Sequence, residues 1–118
     1  MDEACITVDD RHGVTVVALV GEHDLSTAPE VSDAFAALTD GLVIDLSRTT
    51  FLDSSILGAV LGAARDAEQR KMPFTVVIPD DPGSAARRIF DLTGLMTALP
   101  VASDVAGAVE ARQDGSSA

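Results

Sequence analysis

The residues of this sequence that most clearly carry chemistry are the run Asp53-Ser54-Ser55, an acid followed by two hydroxyls. The run follows the hydrophobic pair Phe51-Leu52 and leads directly into a long amphipathic stretch. A hydroxyl at the start of a helix commonly accepts hydrogen bonds from unpaired N–H groups of the first turn, which stabilises the helix by about 1 kcal/mol. A phosphorylated serine also suits this position, because backbone N–H groups and the helix dipole favour an anion. The pattern leaves both interpretations of Ser54 open.

A phosphate on Ser54 would change how a partner protein meets this surface. It would add roughly −1.5 to −2 charges at pH 7. Because Asp53 is adjacent, a partner matched to the neutral serine would then meet strong negative charge. The pair Phe51-Leu52 can anchor the loop at the rim of a sheet, where sites in open α/β folds lie. The run therefore has the properties of a charge switch.

The elements that must position this run alternate between strand and helix. Ile6-Thr7-Val8 and the stretch from Val14 to Val20 are predicted to form a hairpin around the turn Asp10–Gly13. The second strand is apolar on both faces, which predicts a central strand covered on two sides. The later predicted elements are a helix after Pro29 with Val31, Phe35 and Leu38, a strand over Leu42–Leu46, a long helix from Ser54, a strand over Phe74–Ile78, a helix from Ser84 to Gly94, a short edge strand at Val101 and a helix after Asp104.

This alternation predicts an α/β fold with parallel crossovers and one antiparallel pair. We expect a single domain over residues 1–112 with a mixed sheet of about four to five strands and about four helices. Residues 113–118 are expected to be a disordered tail. Gly58 and Gly62 lie four residues apart on the long helix, where we expect them to allow close packing.

The composition favours a cytoplasmic protein that does not bind nucleic acid. The formal net charge is −11, from 19 acidic and 8 basic residues, and Trp and Tyr are absent. Such a surface repels a phosphate backbone and lacks stacking platforms. A partner with a basic face fits this charge, and so does a purely solubilising role. The single Cys5 excludes an internal disulfide, no apolar run approaches the ~20 residues that span a bilayer, and the acidic start lacks a signal peptide's basic flank.

Catalytic, metal and nucleotide functions find little support in the sequence. His12 and His23 are too far apart to form a ligand pair. Asp45 ends a strand like a receiver-domain phosphoacceptor, but the single lysine, Lys71, does not lie late in the chain as that chemistry requires. There is no Gly-rich loop ending in Lys-Ser or Lys-Thr, and no nucleophile–base pair emerges. We therefore expect neither a cofactor nor enzymatic activity.

Three motifs of this chain resemble those of the STAS-domain anti-anti-sigma factors, in order and spacing. They are Gly21-Glu22-His23-Asp24-Leu25-Ser26-Thr27-Ala28, the segment from Val43-Ile44-Asp45-Leu46 through Phe51-Leu52-Asp53-Ser54-Ser55, and Arg88-Ile89-Phe90-Asp91-Leu92-Thr93-Gly94-Leu95. The resemblance extends from about Ile6 to Val109. It implies a non-enzymatic regulator of transcription that acts indirectly, without binding DNA or a membrane, as a monomer or weak dimer.

The resemblance also implies roles for individual residues. Ser54 matches the residue phosphorylated by an anti-sigma factor that is also a serine kinase, and Ser55 is the runner-up. The unphosphorylated form would bind that anti-sigma factor and release a sigma factor, and a phosphatase would reset the switch. Asp24 and Asp53 match acidic positions near the phosphorylation site.

One position departs from the family pattern. Members commonly carry glycine after the hydroxyl pair, where this chain has Ile56. We expect Ile56 at the rim, in contact with the partner. This residue is the main feature that favours an alternative function, a STAS scaffold that joins a transporter or signalling complex and is never phosphorylated.

Overall fold

Strands and helices alternate along the chain as the sequence predicts. The computed structural model describes residues 3–36 and 40–115. In chain order the elements are β1 (Cys5–Arg11), β2 (Val14–His23), α1 (Ala28–Phe35), β3 (Leu42–Asp45), β4 (Thr49–Leu52), α2 (Ser54–Gln69), β5 (Phe74–Val77), α3 (Ala85–Thr93), α4 (Leu95–Ala98), β6 (Val101–Ala102) and α5 (Val105–Gly115). The predicted α/β class is therefore confirmed.

The hairpin of β1 and β2 closes through a two-residue loop. His12 and Gly13 have φ values of 56° and 85°, and two consecutive positive φ angles suit the twist of an antiparallel hairpin. The carboxylate of Asp10 accepts a hydrogen bond of 3.1 Å from the N–H of Gly13. Asp10 and Arg11, predicted as part of the turn, instead belong to β1.

The sheet runs in the order β1-β2-β3-β5-β6, and β4 also pairs with β2. The pair β1/β2 is antiparallel and the others are parallel. β3 pairs with Thr15–Ala18 of β2, whereas β4 pairs with Gly21–His23 further along the same strand. The long strand β2 therefore carries two successive parallel neighbours on one edge.

Helices cover β2 on both faces, which confirms its predicted central place. Val17 and Leu19 lie in a large apolar cluster that receives residues from α1, α2 and α3. Val14 and Val16 lie in a smaller cluster with Ala108 of α5. Burying apolar surface stabilises a fold by about 25 cal/mol per Å². Because β2 contributes side chains to both apolar clusters, it lies at the centre of the fold.

The number of elements in the described residues is larger than predicted. β4 lies in the segment before Asp53 for which no strand was predicted, and the hydroxyl of Thr49 donates a buried 2.6 Å hydrogen bond to the carbonyl of Leu19. α4 is an additional short helix. Residues 113–115 belong to α5 rather than to a tail, and residues 116–118 lie outside the described residues, as does Leu38.

Two glycines of α2 do not have the predicted packing role. A methyl group at Gly58 or Gly62 would meet no atom within 4 Å outside the immediate helix backbone. Both residues instead border an open groove between α1 and α2. Gly94 is different, because it ends α3 in the left-handed conformation with φ of 78°.

The two kinds of glycine predict opposite effects of the same substitution. Gly94→Ala should lower the free energy of unfolding by about 1–2 kcal/mol, since a side chain is strained at positive φ. Gly58→Ala should raise it by about 0.5–1 kcal/mol, because alanine is the better helix former and has room. Urea denaturation of both variants measures this difference. Equal effects of the two substitutions would contradict the conformational assignment of Gly94.

Candidate functional site

The start of α2 is organised by the carboxylate of Asp53. One oxygen, Oδ1, accepts hydrogen bonds from the N–H of Ser55 at 3.0 Å, the hydroxyl of Ser55 at 2.5 Å and the N–H of Ile56 at 3.3 Å. Asp53 is therefore the N-cap of α2. Of the two interpretations of Ser54, the helix cap is excluded, because Ser54 is the first helical residue and Asp53 already accepts hydrogen bonds from the N–H groups of Ser55 and Ile56.

A second acidic turn has the same geometry at the end of β2. Oδ1 of Asp24 accepts hydrogen bonds from the N–H of Ser26 at 2.9 Å and from its hydroxyl at 2.6 Å. In both turns an aspartate binds the N–H and the hydroxyl of the serine two residues later. Aspartate favours such local turns because its short side chain reaches its own following backbone.

The sheet brings these two turns together. His23 pairs with Leu52 in the parallel β2/β4 ladder, so the residues that follow, Asp24 and Asp53, leave the same edge of the sheet. The backbone N–H of Leu25 is one of the groups that lower the pKa of the Asp53 carboxyl. The pairing of β2 with β4 therefore places the two turns near each other.

Hydrogen bonds lower the pKa of both carboxyl groups. For Asp53 the hydroxyl of Ser55 is the largest cause, and the N–H groups of Ile56, Ser55 and Leu25 add to it. For Asp24 the hydroxyl of Ser26 is the largest cause, while repulsion from Asp53 acts in the opposite direction. Both carboxyl groups are consequently ionised at neutral pH, and the site carries two negative charges.

The two hydroxyls of the predicted phosphorylation run differ in their surroundings. Ser54 is exposed at the first position of α2, and within the described part of the chain its hydroxyl has no hydrogen-bond partner. Ser55 is half-buried, and its hydroxyl proton is directed at Asp53. The serine that is free to react is therefore Ser54.

Ile56 does not lie at the rim. Its side chain is fully buried in the large apolar cluster, together with Leu52 and Val60. The expectation that it contacts a partner is wrong, because no part of the side chain reaches the surface. Its place in the apolar stripe of α2, four residues before Val60, is the sequence signal that points to burial.

Sequence reasoning passed over one polar residue of this site, His23. Its ring is fully buried beneath the Asp24 turn and is hydrogen-bonded at both nitrogens. The residue continues the odd-numbered positions of β2 that place Val17 and Leu19 in the core. Strand alternation alone could therefore have predicted an inward-facing histidine.

Exposed apolar residues border the acidic turns. Leu25, within the Asp24 turn, is 74% exposed, and Phe51, two residues before Asp53, is 49% exposed. Exposed apolar side chains beside a polar site are typical of surfaces that bind proteins. Among the described residues no helix is long and apolar enough to cross a membrane, and the described His, Cys, Asp and Glu side chains form no group of three that could hold a metal ion.

The fold and this arrangement define a small mixed α/β binding domain with its polar site at the carboxyl ends of β2 and β4. A family profile described as "Mlab, STAS domain" matches residues 6–101. The chain therefore belongs to the STAS domain family.

Similar proteins are named as antagonists of anti-sigma factors. The chain is 37% identical over 98 residues to the anti-sigma-F factor antagonist RsfB of Mycobacterium tuberculosis, covering 80% of this chain and 77% of that protein. It is 29% identical over 106 residues to the anti-sigma-B factor antagonist of Listeria monocytogenes, covering 86% of each chain. A crystal structure of an anti-sigma factor antagonist from Mycobacterium paratuberculosis superposes with a TM-score of 0.82 at 33% identity, covering 94% of this chain and 95% of that one.

The burial of Ile56 predicts a large effect on stability. Ile56→Ala should lower the free energy of unfolding by about 2–5 kcal/mol, the usual cost of emptying a core position. Leu57→Ala is the matched control, because the neighbouring side chain is half-buried and should cost less. Chemical denaturation compares the two. An Ile56→Ala variant as stable as the wild type would contradict the burial of Ile56.

The cap made by Asp53 predicts a pH-dependent contribution to stability. Because folding lowers the pKa of Asp53, its stabilisation is fully present above the ordinary aspartate pKa of about 3.9 and is lost as the pH falls through the lowered folded value. Asp53→Asn keeps an oxygen acceptor without a titrating group. The difference in thermal midpoint between wild type and Asp53→Asn should therefore shrink on acidification from pH 6. A difference that is constant over this range would contradict the role of the charge.

Proposed function

We propose that this protein is an anti-sigma factor antagonist whose affinity for its anti-sigma factor is switched off by phosphorylation of Ser54. The observation that carries the proposal is the free, exposed hydroxyl of Ser54 at the start of α2, beside two ionised carboxylates. The names of the relatives supply the partner class. In this proposal the anti-sigma factor is also an ATP-dependent serine kinase and a phosphatase reverses the modification, as the resemblance of the three motifs implies.

The geometry gives a physical reason for the switch. The N–H groups of Ser55 and Ile56, which could neutralise a phosphate at a helix start, are already bound to Asp53. A phosphate on Ser54 therefore adds its charge to those of Asp53 and Asp24 without a free donor pair to absorb it. A partner that packs against the neutral serine would meet this combined charge, and like charges brought together in an interface cost several kcal/mol.

The proposed partner surface combines apolar and acidic groups. Leu25 and Phe51 are exposed at the same rim as the acidic turns, so they supply apolar contact around the charged centre. The net charge of −11 favours a basic face on the partner. In this proposal the protein acts in the cytoplasm, where sigma factors engage RNA polymerase, and it acts by binding a partner rather than by catalysis.

The alternative function as a transporter scaffold has lost its main support. It depended on Ile56 as an obstacle at the rim, and that side chain is buried. A sulfate transporter family protein from Wolinella succinogenes superposes with a TM-score of 0.69 at 14% identity, which is a likeness of fold alone.

Phosphorylation by a candidate anti-sigma kinase tests the proposal. After incubation with ATP, mass spectrometry should find phosphate on Ser54, and Ser54→Ala should abolish it while Ser55→Ala should not. Ser54→Glu should weaken binding to the kinase by about tenfold or more, because it places a charge beside Asp53. Ser54→Ala is the control for binding and should match the wild type. Wild-type affinity of Ser54→Glu would refute the charge switch.

A further inference from the structure

His23 is a buried polar side chain directly under the acidic site. Its ring is fully enclosed, and both nitrogens have partners. Nδ1 lies 3.1 Å from the hydroxyl of Thr27, and Nε2 lies 3.2 Å from the carbonyl of Cys5 and 3.1 Å from that of Val20. The ring therefore joins the first residue of β1, the end of β2 and the residue that precedes α1.

The partners of the ring determine its protonation. Two carbonyl oxygens face Nε2, and a carbonyl can only accept, so Nε2 carries a proton. The hydroxyl of Thr27 lies 3.1 Å from Nδ1 and 3.2 Å from the carbonyl of Asp24, and its single proton can be donated to only one of them at a time. In the neutral ring Nδ1 carries no proton, so the hydroxyl of Thr27 donates to Nδ1, while the carbonyl of Asp24 still accepts from the N–H groups of Thr27 and Ala28. Every hydrogen-bonding group of the buried ring is satisfied in this arrangement.

The hydroxyl of Thr27 connects the His23 ring to the Asp24 turn. Its hydroxyl oxygen accepts a hydrogen bond of 3.3 Å from the backbone N–H of Asp24. The backbone N–H groups of Thr27 and Ala28 also donate to the carbonyl of Asp24, at 3.1 and 3.0 Å. Although Thr27 occupies the N-cap position of α1, its side chain makes no capping hydrogen bond to that helix. The side chain of Thr27 therefore contacts the Asp24 turn and His23 and does not cap α1.

We propose that His23 is a positioning residue of the switch, whose neutral, Nε2-protonated ring holds the Asp24 turn beside Asp53 through the hydroxyl of Thr27. The inference rests on the proposed function in that it explains how one of the two carboxylates of this site is kept in place. His23 itself makes no hydrogen bond to Ser54 or to either carboxylate among the described residues. It acts through Thr27.

A side chain that merely fills the core would leave the titration of Asp24 unchanged, and this separates the two roles. The low pKa of Asp24 depends chiefly on the hydroxyl and the N–H of Ser26. A turn released from Thr27 would hold those donors less well. Loss of the His23–Thr27 contact should therefore raise the pKa of Asp24 toward that of an ordinary aspartate.

Nuclear magnetic resonance of the isolated protein tests the proposal. Nitrogen-15 shifts of the ring should show Nε2 protonated and Nδ1 unprotonated at neutral pH. Carbon-13 titration of the carboxyl groups should show the pKa of Asp24 raised by about half a unit in Thr27→Val and in His23→Gln. Thr27→Ser keeps the hydroxyl and should match the wild type. Because the hydroxyl of Thr27 does not cap α1, Thr27→Val should remain folded.

Val43→Ala is the control for a general loss of stability, since Val43 is buried in the cluster under α5. It should lower the thermal midpoint without changing the pKa of Asp24. A wild-type pKa of Asp24 in Thr27→Val and His23→Gln would overturn the proposal, and so would a proton on Nδ1 of the neutral ring. No kinase or anti-sigma factor takes part in this experiment, so a failure here is distinct from a failure of the phosphorylation switch.

Discussion

The hydrogen bonds accepted by the Asp53 carboxylate are the interaction on which the rest of this site depends. They fix where α2 begins, and a helix that begins at Ser54 turns Ile56 into the core and leaves the hydroxyl of Ser54 outside. The N–H of Leu25 also helps to lower the pKa of this carboxyl, so the Asp24 turn contributes to keeping Asp53 ionised. Capping, core packing and exposure of the serine are thus consequences of one side chain.

The length of β2 brings the Asp24 turn and the Asp53 turn to the same edge of the sheet. β3 occupies one half of its edge and β4 occupies the other, so the chain that leaves β4 emerges beside the chain that leaves β2. The hydroxyl of Thr49 anchors this second pairing on the carbonyl of Leu19. A four-residue strand with two polar residues would contribute little alone, but it sets the position of Asp53 relative to Asp24.

Much of the fold could be predicted from periodicity, and the errors have physical reasons. The central strand and α2 repeat apolar residues over long stretches, and such patterns are reliable. β4 is short and begins with two threonines, so alternation could not reveal it. Asp53 and Ser54 are both good N-cap residues, and only the structure distinguishes them. The burial of Ile56 could have been predicted, because this residue belongs to the apolar stripe of α2.

The unmodified protein has few free N–H donors at this rim that could neutralise an added phosphate. A helix start usually offers several free N–H donors, but here Asp53 has taken two of them. A phosphate on Ser54 must then either remain in water beside two carboxylates or displace Asp53 from the cap. The first outcome presents a strongly negative rim, and the second frees the start of α2 from its cap. Both would alter the surface around Leu25 and Phe51, so the proposed switch requires no hinge or domain movement.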